Sequence, residues 1–212
     1  MLLKNIGTYY GKSLHRKAIE ERLRTLNLSG MGLDVGSKNR RYDAFFPRSA
    51  RIVAVDRSGR PDRDVWCCDA EALPFKNGCF DWVLAVESVQ YFDDPRKFFA
   101  EAFRVLKPGG RLILTMPVMI PVCRDYDNVR FTRKYLVKLL NAHFVDIQVE
   151  SWGNACWIMY DALFGWARER GKICQGLFFP LLYLWEKLAK GWLNQPHEFS
   201  VMGYFVKALK YG

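Results

Sequence analysis

The sequence predicts an α/β fold built on a parallel, doubly wound sheet, and three observations carry that prediction. Short apolar runs alternate with segments of helical spacing, a pattern that builds parallel sheets covered by helices on both faces. The first of these runs are rich in β-branched residues and stop at glycine or aspartate, as strands buried on both faces do. The chain is also large enough: 212 residues, half hydrophobic and a quarter charged, suffice for one domain with its own core and exclude a disordered or low-complexity chain.

Leu14 to Leu28 carries Leu14, Ala18, Ile19, Leu23 and Leu26 at near-helical spacing and ends at Ser29-Gly30, which predicts a leading helix. Met31–Val35, halted by Gly36, and Arg51–Asp56 read as the first two strands. Asp64–Cys68 is a short third strand and Phe80–Val86 a fourth. Asp94–Leu106 is a helix, with an aspartate before Pro95 and Lys107-Pro108-Gly109-Gly110 at its end. Arg111–Pro117 is a fifth strand, Thr132–Ala142 a helix capped by Thr132, Phe144–Glu150 an alternating sixth strand and Tyr204–Lys210 the last. Residues 152–203 break this rhythm with aromatic and aliphatic residues at helical spacing, and hold five of the seven tryptophans. The expected organisation is a single domain over 1–212: a leading helical segment 1–30, a core 31–151, a helical insert 152–203 and a closing strand 204–210.

The formal charge is +10, from 32 basic and 22 acidic residues. Residues 1–32 contribute six basic and two acidic side chains, 33–120 fourteen and twelve, and 121–212 twelve and eight. The middle is nearly balanced, so an anionic partner is expected at the two ends. No zinc finger, RNP-like strand or basic-region helix accompanies the charge, which makes nucleic acid an unlikely partner. The six cysteines show no CxxC and no metal-ligand spacing, as expected of free thiols in a reducing compartment and of a chain without a metal site. The start has no apolar signal region, and the longest uncharged stretch, Ile173 to Trp185, is too short to span a bilayer. A cytoplasmic location is therefore expected, with membrane association on the cytoplasmic face as an extension of it. Oligomeric state is not legible.

In an open parallel sheet a ligand binds beyond the carboxyl ends of the strands, where the strand order reverses. Strand one ends Leu33-Asp34-Val35-Gly36-Ser37. Gly36 permits a tight turn that would bring backbone amides to a ligand, and Asp34 places a carboxylate there. A dinucleotide-binding loop needs G-x-G-x-x-G to seat a pyrophosphate, which this chain lacks. An acid in that place suits a cationic ligand, an ammonium or a sulfonium. Asp56 at the end of strand two is placed to accept from both ribose hydroxyls, and Asp69-Ala70 after strand three to meet an adenine amino group. Three acids at successive strand ends argue for a site more strongly than any one of them does.

The segments DAEALPF (69–75), FDWV (80–83) and FRVLKPGGRLIL (103–114), in this order and spacing, resemble the class I S-adenosylmethionine-dependent methyltransferases. The resemblance covers roughly Leu33 to Glu150. It implies a Rossmann-like sheet of seven strands with an antiparallel last strand, here Tyr204–Lys210, and S-adenosylmethionine as cofactor. Carried over by position, it assigns Asp34, Gly36 and Ser37 to the methionine-side loop, Asp56 and Arg57 to the ribose, Asp69 with Ala70 to the adenine, and Glu87 with Ser88 to the pocket after strand four. Two positions depart from the family pattern: Ser37-Lys38-Asn39 follow a single Gly36 where relatives are richer in glycine, and Tyr91 stands where a histidine is common.

Arg124 to Thr132 resembles the rim segment of methyltransferases associated with polysaccharide and cell-envelope biosynthesis. Asp125, Tyr126, Arg130 and Tyr91 are accordingly expected at the substrate rim, with Asp125 and Tyr91 both open as a base and no catalytic residue assigned. His15, His143 and His197 read as structural or exposed. The expected reaction is methyl transfer to a small-molecule, saccharide or lipid-linked acceptor, against the alternative of a cofactor-binding or membrane-surface scaffold of the same fold. The insert is a lid, or else an interfacial helix pair with Trp166, Phe178, Phe179, Trp185 and Trp192 toward lipid and Arg168, Arg170, Lys172, Lys187 and Lys190 toward anionic headgroups.

Overall fold

The computed structural model describes residues 12–119, 127–188 and 200–212. Seven strands form one sheet in the order β3-β2-β1-β4-β5-β7-β6: β1 Met31–Val35, β2 Arg51–Asp56, β3 Val65–Cys67, β4 Phe80–Val86, β5 Leu106–Pro117, β6 Phe144–Trp152 and β7 Gly203–Lys210. The pairs β1–β2, β1–β4, β2–β3 and β4–β5 are parallel, and the closing strand β7 runs antiparallel between β5 and β6. The chain winds outward from β1 to β3, then returns to place β4 on the other side of β1. In open sheets of this kind ligands bind beside such a reversal, here the carboxyl ends of β1 and β4.

The helices are α1 Leu14–Arg24, α2 Pro95–Val105, α3 Arg133–Leu140, α4 Ala155–Glu169 and α5 Lys172–Leu188. Contacts group the chain into two units. One comprises 22–118, 122–150 and 204–212, the other 1–21, 119–121 and 151–203, so far as these are described. Several boundaries differ from the sequence expectation. α1 stops at Arg24, four residues before Leu28, because Thr25 and Leu26 close the last turn with bonds to Arg22 and Leu23 carbonyls. β5 begins at Leu106 rather than Arg111, since Leu106 pairs with Phe80 before a register shift at Pro108-Gly109-Gly110.

The sheet's centre is packed by a tryptophan ring laid over a glycine on the neighbouring strand. At Gly32 on β1 an added Cβ would lie 2.0 Å from Cζ2 of Trp82 on β4. The fully buried Trp82 indole crosses β1 there, and its Nε1 donates to Ser29 O (3.1 Å). Its neighbour Asp81 ties three strands at their starts: Oδ2 accepts the Met31 amide (2.7 Å) and Oδ1 accepts Lys107 Nζ (2.8 Å). Those two partners hold the Asp81 carboxyl below the ordinary aspartate value, the Lys107 bond more than the amide.

The helix over this sheet is equally specified. Asp94 caps α2 by accepting the Arg96 amide, and Pro95 occupies its first position, where a missing N–H costs nothing. On α2 the pair Glu101–Arg104 secures residues 69–77: Glu101 accepts the Leu73 amide, and Arg104 donates to Leu73 O, Phe75 O and Asn77 Oδ1. The three segments that carry the family resemblance are thus one bonded assembly.

In the second unit, α4 and α5 pack Tyr160, Phe164 and Leu182 against Leu14, with Trp157, Leu163, Phe179 and Trp185 around them. The Asp161 carboxylate on α4 caps α1, accepting the amides of Leu14 (2.8 Å) and His15 (3.2 Å). The buried His15 accepts from Trp152 Nε1 through Nδ1 (3.3 Å), a structural histidine as expected; the His143 ring lies tilted against Phe103 with centroids 5.7 Å apart, and His197 lies outside the described residues.

Gly32→Ala should destabilise the protein by about 1–3 kcal/mol or more, because neither the Trp82 ring nor the β1 backbone has room to retreat. At roughly 2–4 °C per kcal/mol for a chain of this size, thermal unfolding should shift down by several degrees; an unchanged melting temperature would contradict the packing.

Candidate functional site

Parallel pairing brings the ends of β1, β2, β3 and β4 to one edge, and the predicted carboxylates with them. Asp34 is the most buried of these, at 2% exposure, and its Oδ2 has no hydrogen-bond partner. Burial raises its carboxyl to about 7, with the Ser37 side chain pulling the other way. Gly36 directly beyond has φ +75°, and a Cβ there would sit 2.4 Å from Ser88 Cβ. Ser88 has closed against this turn because its Oγ donates to Val35 O (3.0 Å). The turn after β1 and the turn after β4 are therefore fitted face to face.

One expectation is corrected here. The amides of Gly36 and Ser37 both donate to Val55 O (2.9 and 3.1 Å), Lys38 N donates to Asp56 Oδ2 (3.1 Å), and Asn39 N to Ser37 O (2.6 Å). This loop does not turn its amides to a ligand, because β2 has already taken them. The group left without a partner beside it is the Asp34 carboxyl.

Asp56 is half-buried. Its Oδ1 accepts Ser58 N (3.1 Å) and Ser58 Oγ (2.8 Å), while Oδ2 accepts only Lys38 N. With two acceptor positions per oxygen, one remains, on Oδ2. Asp69 is exposed and folds an Asx turn onto Glu71 N (2.9 Å), with the buried Ala70 beside it. Neighbouring acids are ion-paired: Asp43 and Asp64 to Arg40, Asp62 to Arg60, Asp93 to Arg57, Asp94 to Arg96, Glu101 to Arg104 and Asp127 to Arg130. Among the described residues, Asp34, Asp56 and Asp69 hold no such pair. Glu87 follows β4 in the left-handed region at φ +52°, where a non-glycine residue stores strain. Its amide is held by Thr115 O and Oγ1 (both 3.1 Å), and its carbonyl by Gln90 Nε2 (2.8 Å).

The rim is joined by bonds that sequence reasoning missed. Arg57, after β2, donates to Asp93 Oδ2 (3.0 Å), and Asn128, after β5, donates to Asp93 Oδ1 and to the carbonyls of Tyr91 and Phe92. Glu71 accepts the amides of Asp93 and Asp94. Asn128 lies inside the 124–132 rim segment, but it sits at no periodic position that would have singled it out. The buried Gln90 left a faint signal as a polar residue inside an apolar turn. Tyr91 ends the short turn after β4, half-buried; Arg130 is engaged by Asp127; Asp125 and Tyr126 lie outside the described residues. Burial pushes the Cys68 thiol up to about 11, which favours its protonated form beside the acids.

This arrangement has the form of a class I methyltransferase domain, and comparison with known proteins agrees. Residues 33–114 match the family model described as a methyltransferase domain. It is 36% identical over 116 residues to a malonyl-[acyl-carrier protein] O-methyltransferase of Hahella chejuensis, covering 46% of this chain and 41% of that protein. It is 39% identical over 66 residues to a demethylmenaquinone methyltransferase of Renibacterium salmoninarum, covering 31% and 28%. The chain thus spans well under half the length of either relative. In fold it is similar to a Haemonchus contortus phosphoethanolamine N-methyltransferase 2 solved with S-adenosyl-L-methionine: TM-score 0.57, 20% identity, 93% of this chain and 52% of that one.

The raised carboxyl has a consequence for stability. Folded Asp34 keeps a proton that the unfolded chain releases, so its contribution is complete below the ordinary value of 3.8 and is lost as pH rises toward about 7. Buried Asp161 is raised in the same sense, and only substitution separates the two. Asp34→Asn should flatten the decline of the melting temperature across this interval; parallel curves for the two proteins would place the proton elsewhere.

Proposed function

We propose that the protein transfers a methyl group from S-adenosylmethionine to a small-molecule acceptor. The observation that carries this reading is Asp34: a buried carboxyl with an unbonded oxygen, at the reversal point of the sheet, without an ion pair. A ligand presenting positive charge completes it, and a sulfonium amino acid is such a ligand.

Bound at this edge, S-adenosylmethionine supplies an electrophilic methyl on a sulfonium sulfur. Asp34 would hold the cationic methionine end, with Gly36, Ser37 and Ser88 shaping the wall beside it. Asp56 would accept one ribose hydroxyl at its open Oδ2 position, since Ser58 fills Oδ1. Asp69 and Ala70 would flank the adenine, Arg57 would close the ribose side, and Glu87 would line the pocket toward the acceptor. The Arg57–Asp93–Asn128 chain fixes the rim where Tyr91 and Arg130 stand. Methyl transfer is an in-line displacement, so holding donor and acceptor aligned supplies up to roughly 7–11 kcal/mol of the barrier. No base is assigned on this geometry.

The relatives named for acyl carrier protein, quinone and phosphoethanolamine methylation act on small or carrier-linked acceptors. We extend only that coarse class to this chain, with saccharide or lipid-linked precursors as the finer reading that the rim segment suggests.

Calorimetric titration with S-adenosylmethionine should give saturable binding, weakened about ten- to a hundredfold in Asp56→Ala, as loss of hydrogen bonds to a charged group predicts. Affinity should rise with pH up to about 7 and then level off, because a cation displaces the Asp34 proton. Absence of binding at millimolar cofactor would defeat the reading, and an Asp56→Ala variant of parental affinity would defeat the ribose assignment.

A further inference from the structure

We propose that the α4–α5 hairpin is a membrane-surface element that lies on anionic lipid. On α5, Ile173, Leu177, Leu181 and Leu184 are 84%, 66%, 63% and 54% exposed, at steps of four, four and three residues, which puts them on one face of the helix. The opposite face is already used. Phe179 stacks on Phe164 with ring centroids 4.8 Å apart, Trp185 meets Tyr160 edge-on, and Leu182 is buried between the helices. α5 is therefore apolar on both faces, with one covered by α4 and the other open. This corrects the sequence expectation: Phe179 and Trp185 point into the hairpin, and aliphatic side chains that the aromatic pattern obscured take the outer face. Trp192 and Lys190 lie outside the described residues, as does the side chain of Lys187.

Three features select lipid as the occupant. The open stripe covers about 17 Å of helix at 1.5 Å per residue, and no described helix is long and apolar enough to cross a membrane, which suits an element lying in the interface plane. The turn between the helices is basic, with exposed Arg168, Arg170 and Lys172 against Glu169, and the Arg170 guanidinium lies 5.5 Å above the ring of half-exposed Trp166. A tryptophan and long basic side chains beside an aliphatic stripe match the layering of a headgroup region over acyl chains. The net charge of +10 favours an anionic surface and opposes a second copy of the same chain. The inference does not depend on methyl transfer.

The test is flotation of the full chain with phosphatidylcholine vesicles, with and without phosphatidylglycerol. The parent should float with the anionic vesicles and largely stay behind with the neutral ones. The fourfold variant Ile173→Gln/Leu177→Gln/Leu181→Gln/Leu184→Gln should lose about tenfold or more of the partition, and Arg170→Glu/Lys172→Glu should weaken it and its salt dependence. Near-ultraviolet circular dichroism verifies folding; should the fourfold variant fail that check, the single changes Ile173→Gln and Leu177→Gln, at the most exposed positions, carry the same expectation in smaller measure. Failure of the parent to float, or unchanged flotation of folded variants, overturns the proposal. Concentration-dependent dimers in light scattering that the same apolar substitutions disperse would overturn it too, assigning the face to a second copy.

Discussion

Burying a carboxyl away from partners costs several kcal/mol unless the group takes up a proton or meets a cation, and Asp34 at the end of the central strand is such a group. Little in its surroundings relieves it. The amides that could have bonded it are turned to Val55 O by the tight exit at Gly36, and Ser88 presses on that exit so closely that no side chain fits there. Arg40, the nearest guanidinium with an influence on it, is occupied by Asp43, Asp64 and Ile52 O. The close packing of β1 on β4 through Gly32 and Trp82 fixes the register that places these groups together. The contacts that close the sheet are the ones that leave this carboxyl without a cationic partner.

The strands most legible in the sequence were those buried on both faces. Met31–Val35, Arg51–Asp56 and Phe80–Val86 have the expected bounds, since short, mainly apolar runs with glycine or acid stops leave little choice. Boundaries set by tertiary bonds were less legible. The start of β5 depends on Lys107 meeting Asp81 and Leu106 meeting Phe80, partners 26 residues or so away that local pattern does not reveal. The same division runs through the site. Acids at strand ends follow from strand ends, so Asp34, Asp56 and Asp69 could be named; Asn128, Thr115 and Gln90 act only through chains of contacts made by folding.

Where pattern and structure disagreed most, the cause was a confusion of amphipathic faces. A helix apolar on one side announces which side is buried. α5 is apolar almost all round, and its aromatic residues, being the largest, suggested the outer face. Area decides otherwise: aromatic rings bury more surface per residue than aliphatic chains, so packing them between two helices stabilises the hairpin most. That leaves Ile173, Leu177, Leu181 and Leu184 outside.

Charge divides along the same line. Within the sheet unit several basic side chains are spent on fixed acids: Arg104 on Glu101 and three backbone or amide oxygens, Arg40 on two aspartates, Lys107 on Asp81. These pairs position loops rather than attract partners, and exposed ones add little stability of their own. A near-neutral field suits a site whose ligand is itself zwitterionic with an added sulfonium charge, because a strong basic potential would repel that ligand and cost affinity at the acids. The basic residues at the hairpin turn, Arg168, Arg170 and Lys172, are exposed and lie away in sequence from the acids at the strand ends, so the proposed cofactor site and the proposed lipid-facing surface place no opposing demand on the same side chains.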